Sequence, residues 1–388
     1  AFGDTTKGDY AYESAPNSTD LTWETVITKN IGLDLGFLNN RLNVSFDAYI
    51  RDTKDMLMAG KTLPGVYGAS SPRMNVADLR TKGWEASITW GDSFTLASKP
   101  FNYRIMAGIG DNTSKVTKYD NPNRTLTDPY EGQQLGEIWG YVVDGYFKTD
   151  EEARNYKVDQ SFVNQMINAS ALDNGLHAGD LKFVDLDGNN KIEQTTSAND
   201  RKDMKVIGNS LPRYNYNFGI SADWYGIDFS VLFQGIGKQN WYPGAETSMF
   251  WGPYSRPYAS FIPSDFMSQV WSEENTDAYF PRPRGYVALG SNRELAVVNT
   301  KYLQNLAYCR LKNLSIGYTL PDKWLSKIGF EKIRVYFSGE NLLTFTKLHS
   351  DYIDPEQASA SNSWKTSKSD ANIYPWAKTY SFGVDITF

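Results

Sequence analysis

The sequence contains one cysteine, Cys309, and two histidines, His177 and His349, in 388 residues. A single cysteine excludes an intramolecular disulfide and any zinc site built from two or four cysteines. Two histidines are too few for a histidine-rich metal centre. No run of 18 or more apolar residues occurs, so the sequence predicts no transmembrane helix. The net charge of −6 and the lack of Lys/Arg runs argue against a nucleic-acid partner.

Aromatic residues, in contrast, are abundant, with 11 Trp, 25 Tyr and 20 Phe. Membrane barrels alternate apolar and polar residues and therefore have a hydrophilic average, so the missing apolar run leaves that class open. The chain begins with Ala1 rather than methionine and has no signal peptide, so we expect a mature or truncated piece of a protein.

Alternation of apolar and polar residues with a period of two predicts β-strands that have two unlike faces. In the last segment, apolar side chains occupy every second position from Tyr380 to Phe388, and polar or small ones occupy the others. The same analysis predicts nine strands, at about 23–37, 42–51, 82–90, 101–110, 213–224, 227–234, 306–320, 332–344 and 379–388.

The strand lengths and connections favour a membrane barrel over a soluble sandwich with one wet face. Several predicted strands reach the 9–11 residues that cross a bilayer when tilted, whereas soluble strands average about 5–6. The connections alternate between short and long, as in outer-membrane barrels with short periplasmic turns and long outer loops. The predicted short connections are 38–40, 91–100, 225–226 and 321–331, and the long ones are 57–81, 111–212, 235–305 and 345–376.

Counting strands back from a periplasmic C-terminus places every short turn in the periplasm and residues 1–22 outside. This alternation is consistent only if the strand-like segment 136–147 belongs to an outer loop and does not cross the membrane. Nine is odd, whereas bacterial single-chain barrels have even strand counts, and an open edge would leave backbone groups unpaired in lipid. We therefore expect an all-β chain that supplies an antiparallel, nine-strand portion of a transmembrane barrel with long extracellular loops.

Several segments resemble, in the same order, the C-terminal barrel part of the SusC/RagA family of TonB-linked outer-membrane transporters from Bacteroidota. The matching segments are LGEIWGYVVDGYF at 135–147, GDLKFVDLDGNNKI at 179–192, VIGNSLPR at 206–213, AYFPRP at 278–283, YCRLKNLSIGYTL at 308–320, RVYFSGENLLTF at 334–345 and SFGVDITF at 381–388.

This resemblance covers nearly the whole chain and implies a barrel of roughly 22 strands with a plugged lumen. It also implies import of oligosaccharides or oligopeptides, a SusD-like lipoprotein lid, and coupling to TonB–ExbB–ExbD through an N-terminal part. We expect residues 1–388 to form barrel alone, without the plug domain or the N-terminal strands. The alternative is a non-transporting surface β-protein for glycan binding or adhesion.

An Asp-rich loop places oxygen donors with the spacing of the first part of an EF-hand, which suits a hard cation such as calcium. Position 6 is Asn190 instead of Gly, and position 12 is Thr196 instead of Glu. A loop of Asx turns without metal is the alternative. The predicted calcium ligands are Asp185, Asp187, Asn189, the carbonyl of Lys191, Glu193 and Asp200.

The long loop 235–305 is rich in aromatic side chains, whose flat faces suit sugar rings or peptide side chains. Two alternatives are that they pack a core within the loop or that they are buried against the lipoprotein lid. The candidate substrate-binding residues are Trp241, Tyr242, Phe250, Trp251, Tyr254, Arg256 and Tyr258.

The final strand ends in Phe388, which resembles the signal that the barrel-assembly machinery reads; a plain last strand is the alternative. The segment 150–168 is predicted to form an outer-loop helix, because Asp150, Glu151 and Glu152 suit a helix N-terminus. No nucleophile–base pair stands out, so we expect no enzymatic activity.

Overall fold

The computed structural model describes residues 20–60, 66, 71–163, 175–255, 262–283, 288–290, 293–325, 329–358, 368–369 and 374–388. Within these ranges, no helix is long and apolar enough to cross a membrane. The strands in chain order are β1 (Thr25–Phe37), β2 (Leu42–Ala59), β3 (Arg73–Leu96), β4 (Lys99–Lys118), β5 (Glu137–Tyr141), β6 (Val143–Tyr146), β7 (Leu181–Phe183), β8 (Met204–Asn209), β9 (Arg213–Trp224), β10 (Ile227–Lys238), β11 (Asn240–Pro243), β12 (Gln304–Asn305), β13 (Tyr308–Thr319), β14 (Lys332–Thr346), β15 (Lys368–Ser369) and β16 (Thr379–Thr387).

The described helices are all short. They are α1 (Asp150–Arg154), α2 (Ser248–Trp251), α3 (Asp322–Leu325) and two 3₁₀ segments, Gly252–Tyr254 and Phe266–Gln269.

Nine strands form one sheet in the order β1-β2-β3-β4-β9-β10-β13-β14-β16. Each strand pairs antiparallel with its neighbours, so the sheet follows the chain as a meander. The predicted nine strands are therefore confirmed. The segment 136–147 is also confirmed as strand-like and separate from the wall, because its strands β5 and β6 pair with β8 and β7 instead.

The two faces of the sheet differ in polarity, as two neighbouring rows across the strands from β4 to β16 illustrate. One row of cross-strand neighbours runs Tyr103, Ala222, Phe229, Ile316, Phe337 and Phe382, and the next row, on the opposite face, runs Arg104, Ser221, Ser230, Ser315, Ser338 and Ser381. Apolar side chains on the first face are exposed, with Phe382 at 83% and Ile31 at 73%. A continuous exposed apolar band opposite a polar face is the arrangement of a barrel wall in lipid.

The short connections agree with tight hairpin turns. Ala97–Ser98 and Tyr225–Gly226 each have two consecutive positive φ angles, as a two-residue type I′ turn requires. The predicted limits of three loops, 57–81, 91–100 and 111–212, were wrong because β3 and β4 extend to 24 and 20 residues, with β4 ending at Lys118. The predicted turn 91–100 shrinks to Ala97–Ser98, and the predicted long loop 57–81 shrinks to the stretch between Ala59 and Arg73. The added strand residues carry less regular alternation, so the apolar pattern did not reveal them.

The main cluster of buried hydrophobic residues in the described part of the chain lies in the loops, outside the nine-strand sheet. It is assembled from loop segments between β4 and β9, between β10 and β13, and after β14. Small sheets β5-β8, β6-β7 and β12-β11-β15 connect these segments. Phe388, directly after β16, is 82% exposed.

The predicted helix 150–168 was wrong in length. Thr149 caps α1 by accepting a hydrogen bond from the backbone N–H of Glu152 at 3.1 Å, but the helix ends at Arg154. Beyond it, the Tyr156 hydroxyl and the Gln160 amide donate to the carbonyls of Phe183 and Leu181, which draws the chain into the loop core. Residues 164–168 lie outside the described residues.

Candidate functional site

The candidate aromatic residues lie inside the loop core. Each of the described ones is at most 2% exposed: Trp241, Tyr242, Phe250, Trp251 and Tyr254. The rings of Tyr242, Phe250, Trp251 and Tyr254 pack mainly against one another and against Phe280 and Tyr302, with centroid separations from 4.7 to 6.3 Å. Arg256 and Tyr258 lie outside the described residues.

The polar atoms of these aromatics have internal partners. The Tyr242 hydroxyl donates to the carbonyl of Leu295 at 2.8 Å, and the Trp251 indole donates to the carbonyl of Gly244 at 2.9 Å. Burial raises the pKa of Tyr242 well above its ordinary value. No face of these rings is free for a ligand in this arrangement. The structure therefore favours the packing alternative over direct substrate contact, and the rings act as a scaffold for the loops around them.

The Asp-rich loop is organised by hydrogen bonds to its own backbone. The Asp185 carboxylate accepts from the N–H groups of Gly188 and Asn190, both at 2.7 Å. Asn190 adopts a left-handed conformation with φ of 62°, which Asn tolerates better than most residues do. The Asn189 side chain accepts from the backbone N–H of Lys191 at 2.8 Å and donates to Asp187 at 3.1 Å.

Asp203, which the sequence analysis missed, forms a group with Asp185 and Asp187. Carboxylate oxygens of these three residues all lie within 4.8 Å of one another. Asp203 is fully buried and accepts from the backbone N–H groups of Leu186 and Glu193 at 2.8 and 2.7 Å. Burial raises its pKa, and the neighbouring carboxylates add to that effect.

The remaining predicted ligands are arranged differently from the prediction. The Glu193 carboxylate forms an ion pair with Lys202 at 3.1 Å and accepts from Asn189. Asp200 lies outside the three-carboxylate group, and its backbone N–H donates to Ser197. Asp203 thus takes the place that spacing had suggested for Asp200. In the sequence, Asp203 is marked only as an acidic residue directly before β8, a position that the EF-hand template does not include.

The polar face of the sheet carries a groove of about 360 Å³ between β2, β3, β4 and β9. Acidic, amide and hydroxyl side chains line most of it, including Asp47, Glu85, Asn112, Asn215 and Ser87. Asp47 and Glu85 are direct cross-strand partners. A polar groove of this kind suits the lumen side of a barrel wall.

Comparison with known proteins gives the same architecture. The family model described as TonB dependent receptor-like, beta-barrel matches residues 2–342. TonB-dependent receptor P3 of Formosa agariphila is 28% identical over 95% of this chain and 34% of its own length. TonB-dependent receptor SusC of Bacteroides thetaiotaomicron is 24% identical over 100% of this chain and 34% of its own length.

A solved structure of the RagAB peptide importer in the open-open state matches with a TM-score of 0.67 and 22% identity, over 95% of this chain and 35% of that one. The chain thus spans about a third of the length of the relatives it matches. The resemblance to SusC/RagA transporters that the sequence predicted is confirmed. Nine meandering strands with an apolar outer face and the family match lead to one assignment: the chain belongs to the TonB-dependent receptor-like β-barrel family and contributes nine strands to an outer-membrane β-barrel.

Proposed function

We propose that this chain is the C-terminal barrel portion of a TonB-dependent importer of oligomeric nutrients, glycan or peptide oligomers, that works with a SusD-like surface lipoprotein. The observation that carries the proposal is the nine-strand sheet, whose exposed apolar face and polar opposite face suit a wall between lipid and an aqueous lumen. The long loops gather at one end of this wall, where a nutrient would first make contact.

The mechanism is capture followed by gated passage, without covalent chemistry. The loop core, built on the buried aromatics, holds the outer loops in fixed positions around the lumen entrance. The lipoprotein closes over them as a lid, and TonB–ExbB–ExbD opens the path by acting on a plug in the N-terminal part of the protein. Phe388 serves as the recognition residue for the barrel-assembly machinery.

Uptake by whole cells tests this function. Cells that carry the intact protein should take up a labelled oligomer, and loss of TonB should abolish the uptake while the barrel stays in the membrane. The lipoprotein should co-purify with the intact barrel in detergent. Surface binding of glycans that continues unchanged without TonB, with no uptake of any oligomer, would instead establish the adhesion alternative.

We also propose that the Asp-rich loop binds calcium, as its spacing predicted. Three carboxylates with mutually close oxygens, one of them buried, form a donor set that suits a hard divalent cation. Asp185, Asp187 and Asp203 would hold the ion, which would fix the loop between β7 and β8.

Calcium removal tests this second proposal. In the purified complex, a chelator should speed proteolysis of the loop around residues 185–193, and added calcium, but not magnesium, should restore protection. Asp187→Asn should abolish the response to calcium, whereas the matched control Asp144→Asn, at an exposed acidic residue in β6, should retain it. An identical cleavage rate with and without calcium would leave the metal-free loop of Asx turns as the correct description.

A further inference from the structure

Lys301 lies at the edge of the loop core with its ammonium group beside two tyrosine rings. Its Nζ is 4.8 Å from the ring centre of Tyr146 and 5.6 Å from that of Tyr279. The backbone N–H of Lys301 donates to Oδ1 of the buried Asn299 at 3.0 Å, so the base of the side chain is fixed. The residue is half-buried, and in the described part of the chain no carboxylate forms an ion pair with it; Asp277 influences it only at longer range.

His349 is a second basic group at the same edge. Its ring stacks on Tyr279 with centroids 3.5 Å apart and planes inclined by 14°. One ring nitrogen, Nε2, lies 2.8 Å from Oε1 of Gln269, and the backbone N–H donates to Oε1 of Gln304 at 3.2 Å. The His349 ring thus packs on Tyr279 with one face, while the residue stays partly accessible to solvent.

Gln304 joins these two groups into one unit. Its amide nitrogen donates to the Tyr279 hydroxyl at 2.9 Å, while its amide oxygen holds the backbone of His349. Tyr279 therefore has a fixed position, with the imidazole on its ring and the ammonium nearby. We call Lys301 and His349, supported by Tyr279, the basic patch.

In the described part of the chain, no carboxylate lies within ion-pair distance of the basic patch. Burial lowers the pKa of Lys301 and of His349, and Lys301 lowers the pKa of His349 further. Asp277 and Asp351 are the acidic groups whose charges reach the patch, and neither forms an ion pair with it in the described residues. A partly dehydrated ammonium group without a carboxylate partner is costly, and a bound anion would remove that cost.

We propose that the basic patch is a subsite for a carboxylate group of the imported oligomer, with Lys301 as the primary contact and His349 as the second. Lys301 supplies a compact positive charge, and the free ring nitrogen of His349 donates to the anion when the imidazole is protonated. Uronate units of a glycan and acidic side chains of a peptide present the same carboxylate. This inference rests on the proposed import function and specifies the substrate class for it.

Equilibrium binding to the intact transporter–lipoprotein complex in detergent tests the subsite. The probes are trigalacturonate and triglutamate, each compared with its neutral counterpart, trigalactose and triglutamine. We expect the complex to bind at least one acidic probe more tightly than its counterpart. Lys301→Met should weaken that binding by about tenfold or more, the factor expected when one charge-assisted hydrogen bond is lost.

Three further variants make the result specific. Lys301→Arg should retain binding because it keeps the positive charge. His349→Phe, which keeps a ring on Tyr279, should weaken binding only at acidic pH, where the imidazole is protonated. Lys157→Met is the matched control, since Lys157 is an exposed lysine elsewhere in the outer loops. Whichever acidic probe depends on Lys301 identifies a glycan or a peptide as the source of the carboxylate.

Two outcomes would overturn the subsite. One is that neither acidic probe binds more tightly than its neutral counterpart. The other is that Lys301→Met and Lys157→Met have equal effects. TonB-dependent uptake by whole cells is measured in parallel, so that failure of the import function is seen as lost uptake of every oligomer. Normal uptake that does not change in the Lys301→Met variant would rule out the subsite and leave the import function standing.

Discussion

The guanidinium of Arg310 donates a hydrogen bond to the carboxylate of Asp354 at 2.6 Å, and the two side chains are only 2% and 5% exposed. Arg310 lies on the polar face of β13, and Asp354 belongs to the long loop between β14 and β16. Arg310 also donates to Glu356, which Lys312 contacts at 2.7 Å. This network fastens the last long loop to the barrel wall.

Replacing Arg310 with methionine should lower the free energy of unfolding by about 3–5 kcal/mol, because the buried Asp354 then lacks its partner. The matched control is Arg80→Met, which breaks an ion pair with Asp52 at an arginine that is 49% exposed. That change should cost less than about 1 kcal/mol. Urea unfolding of the purified complex in detergent compares the two, and equal losses would contradict the anchoring role of Arg310.

The apolar face of β9 and β10 should tolerate no charge. The rings of Phe218 and Phe233 stack on that face, with centroids 4.8 Å apart and an interplanar angle of 12°. Phe218→Arg should destabilise the membrane-inserted barrel by about 2–4 kcal/mol, the cost of a basic side chain near the bilayer midplane.

The adjacent Asn217 offers a control at the same depth, because it lines the polar groove on the opposite face. Asn217→Arg should yield as much folded barrel as the parent protein. The measurement is the fraction of outer-membrane barrel whose electrophoretic mobility shifts on heating, which is the folded fraction. Normal assembly of the Phe218 variant, or failure of the Asn217 variant to assemble, would show that the assignment of the two faces is wrong.

Gly83 on β3 provides the space for the ring of its cross-strand partner, Tyr49. A Cβ atom at position 83 would clash with that ring. Gly83→Val should therefore destabilise the barrel by about 1–3 kcal/mol through overpacking. Tyr49→Ser should remove most of this penalty, since valine is otherwise favourable in a strand. A double-mutant cycle by urea unfolding measures the coupling, and additive effects would exclude a direct steric contact.

The stability of the loop core should fall at acidic pH because of His349. Burial holds the pKa of His349 below the ordinary value of 6.5; Asp351 opposes this shift in part, and the charge of Lys301 adds a smaller lowering effect. The folded state thus binds fewer protons than the unfolded state once the pH falls below about 6.5, and stability declines until the pH passes the lowered pKa.

His349→Phe should flatten this slope, because phenylalanine retains the stacking on Tyr279 but does not titrate. Melting temperatures of the complex between pH 5 and 8 provide the comparison. An unchanged slope in the His349 variant would mean that other groups cause the acid sensitivity.

Several features of the chain could be predicted from local pattern. The β-strand has a fixed period of two, so alternation in β9 or β16 identifies both the strand and its two faces without any knowledge of neighbours. The alternation of short and long connections then predicted that consecutive strands run antiparallel, as they do in the meander. The segments around 135–147 and 308–320 added the family, which composition and periodicity could not supply.

Contacts between distant residues were beyond such reasoning. Asp203 joins Asp185 because the loop folds back, although 18 positions separate them, and no spacing template for calcium includes it. Trp241 and Trp251 looked like ligand-binding residues until the structure placed them in the loop core.

The sequence by itself determined the number of wall strands, their polarity and the family, because these follow from a periodic local pattern and from ordered motifs. Only the tertiary structure decided which aromatics are buried, which carboxylates cluster and that Lys301 and His349 both lie beside Tyr279. The physical reason is that burial and charge pairing depend on distances through space. In long loops those distances are set by the packing of several segments and not by position along the chain.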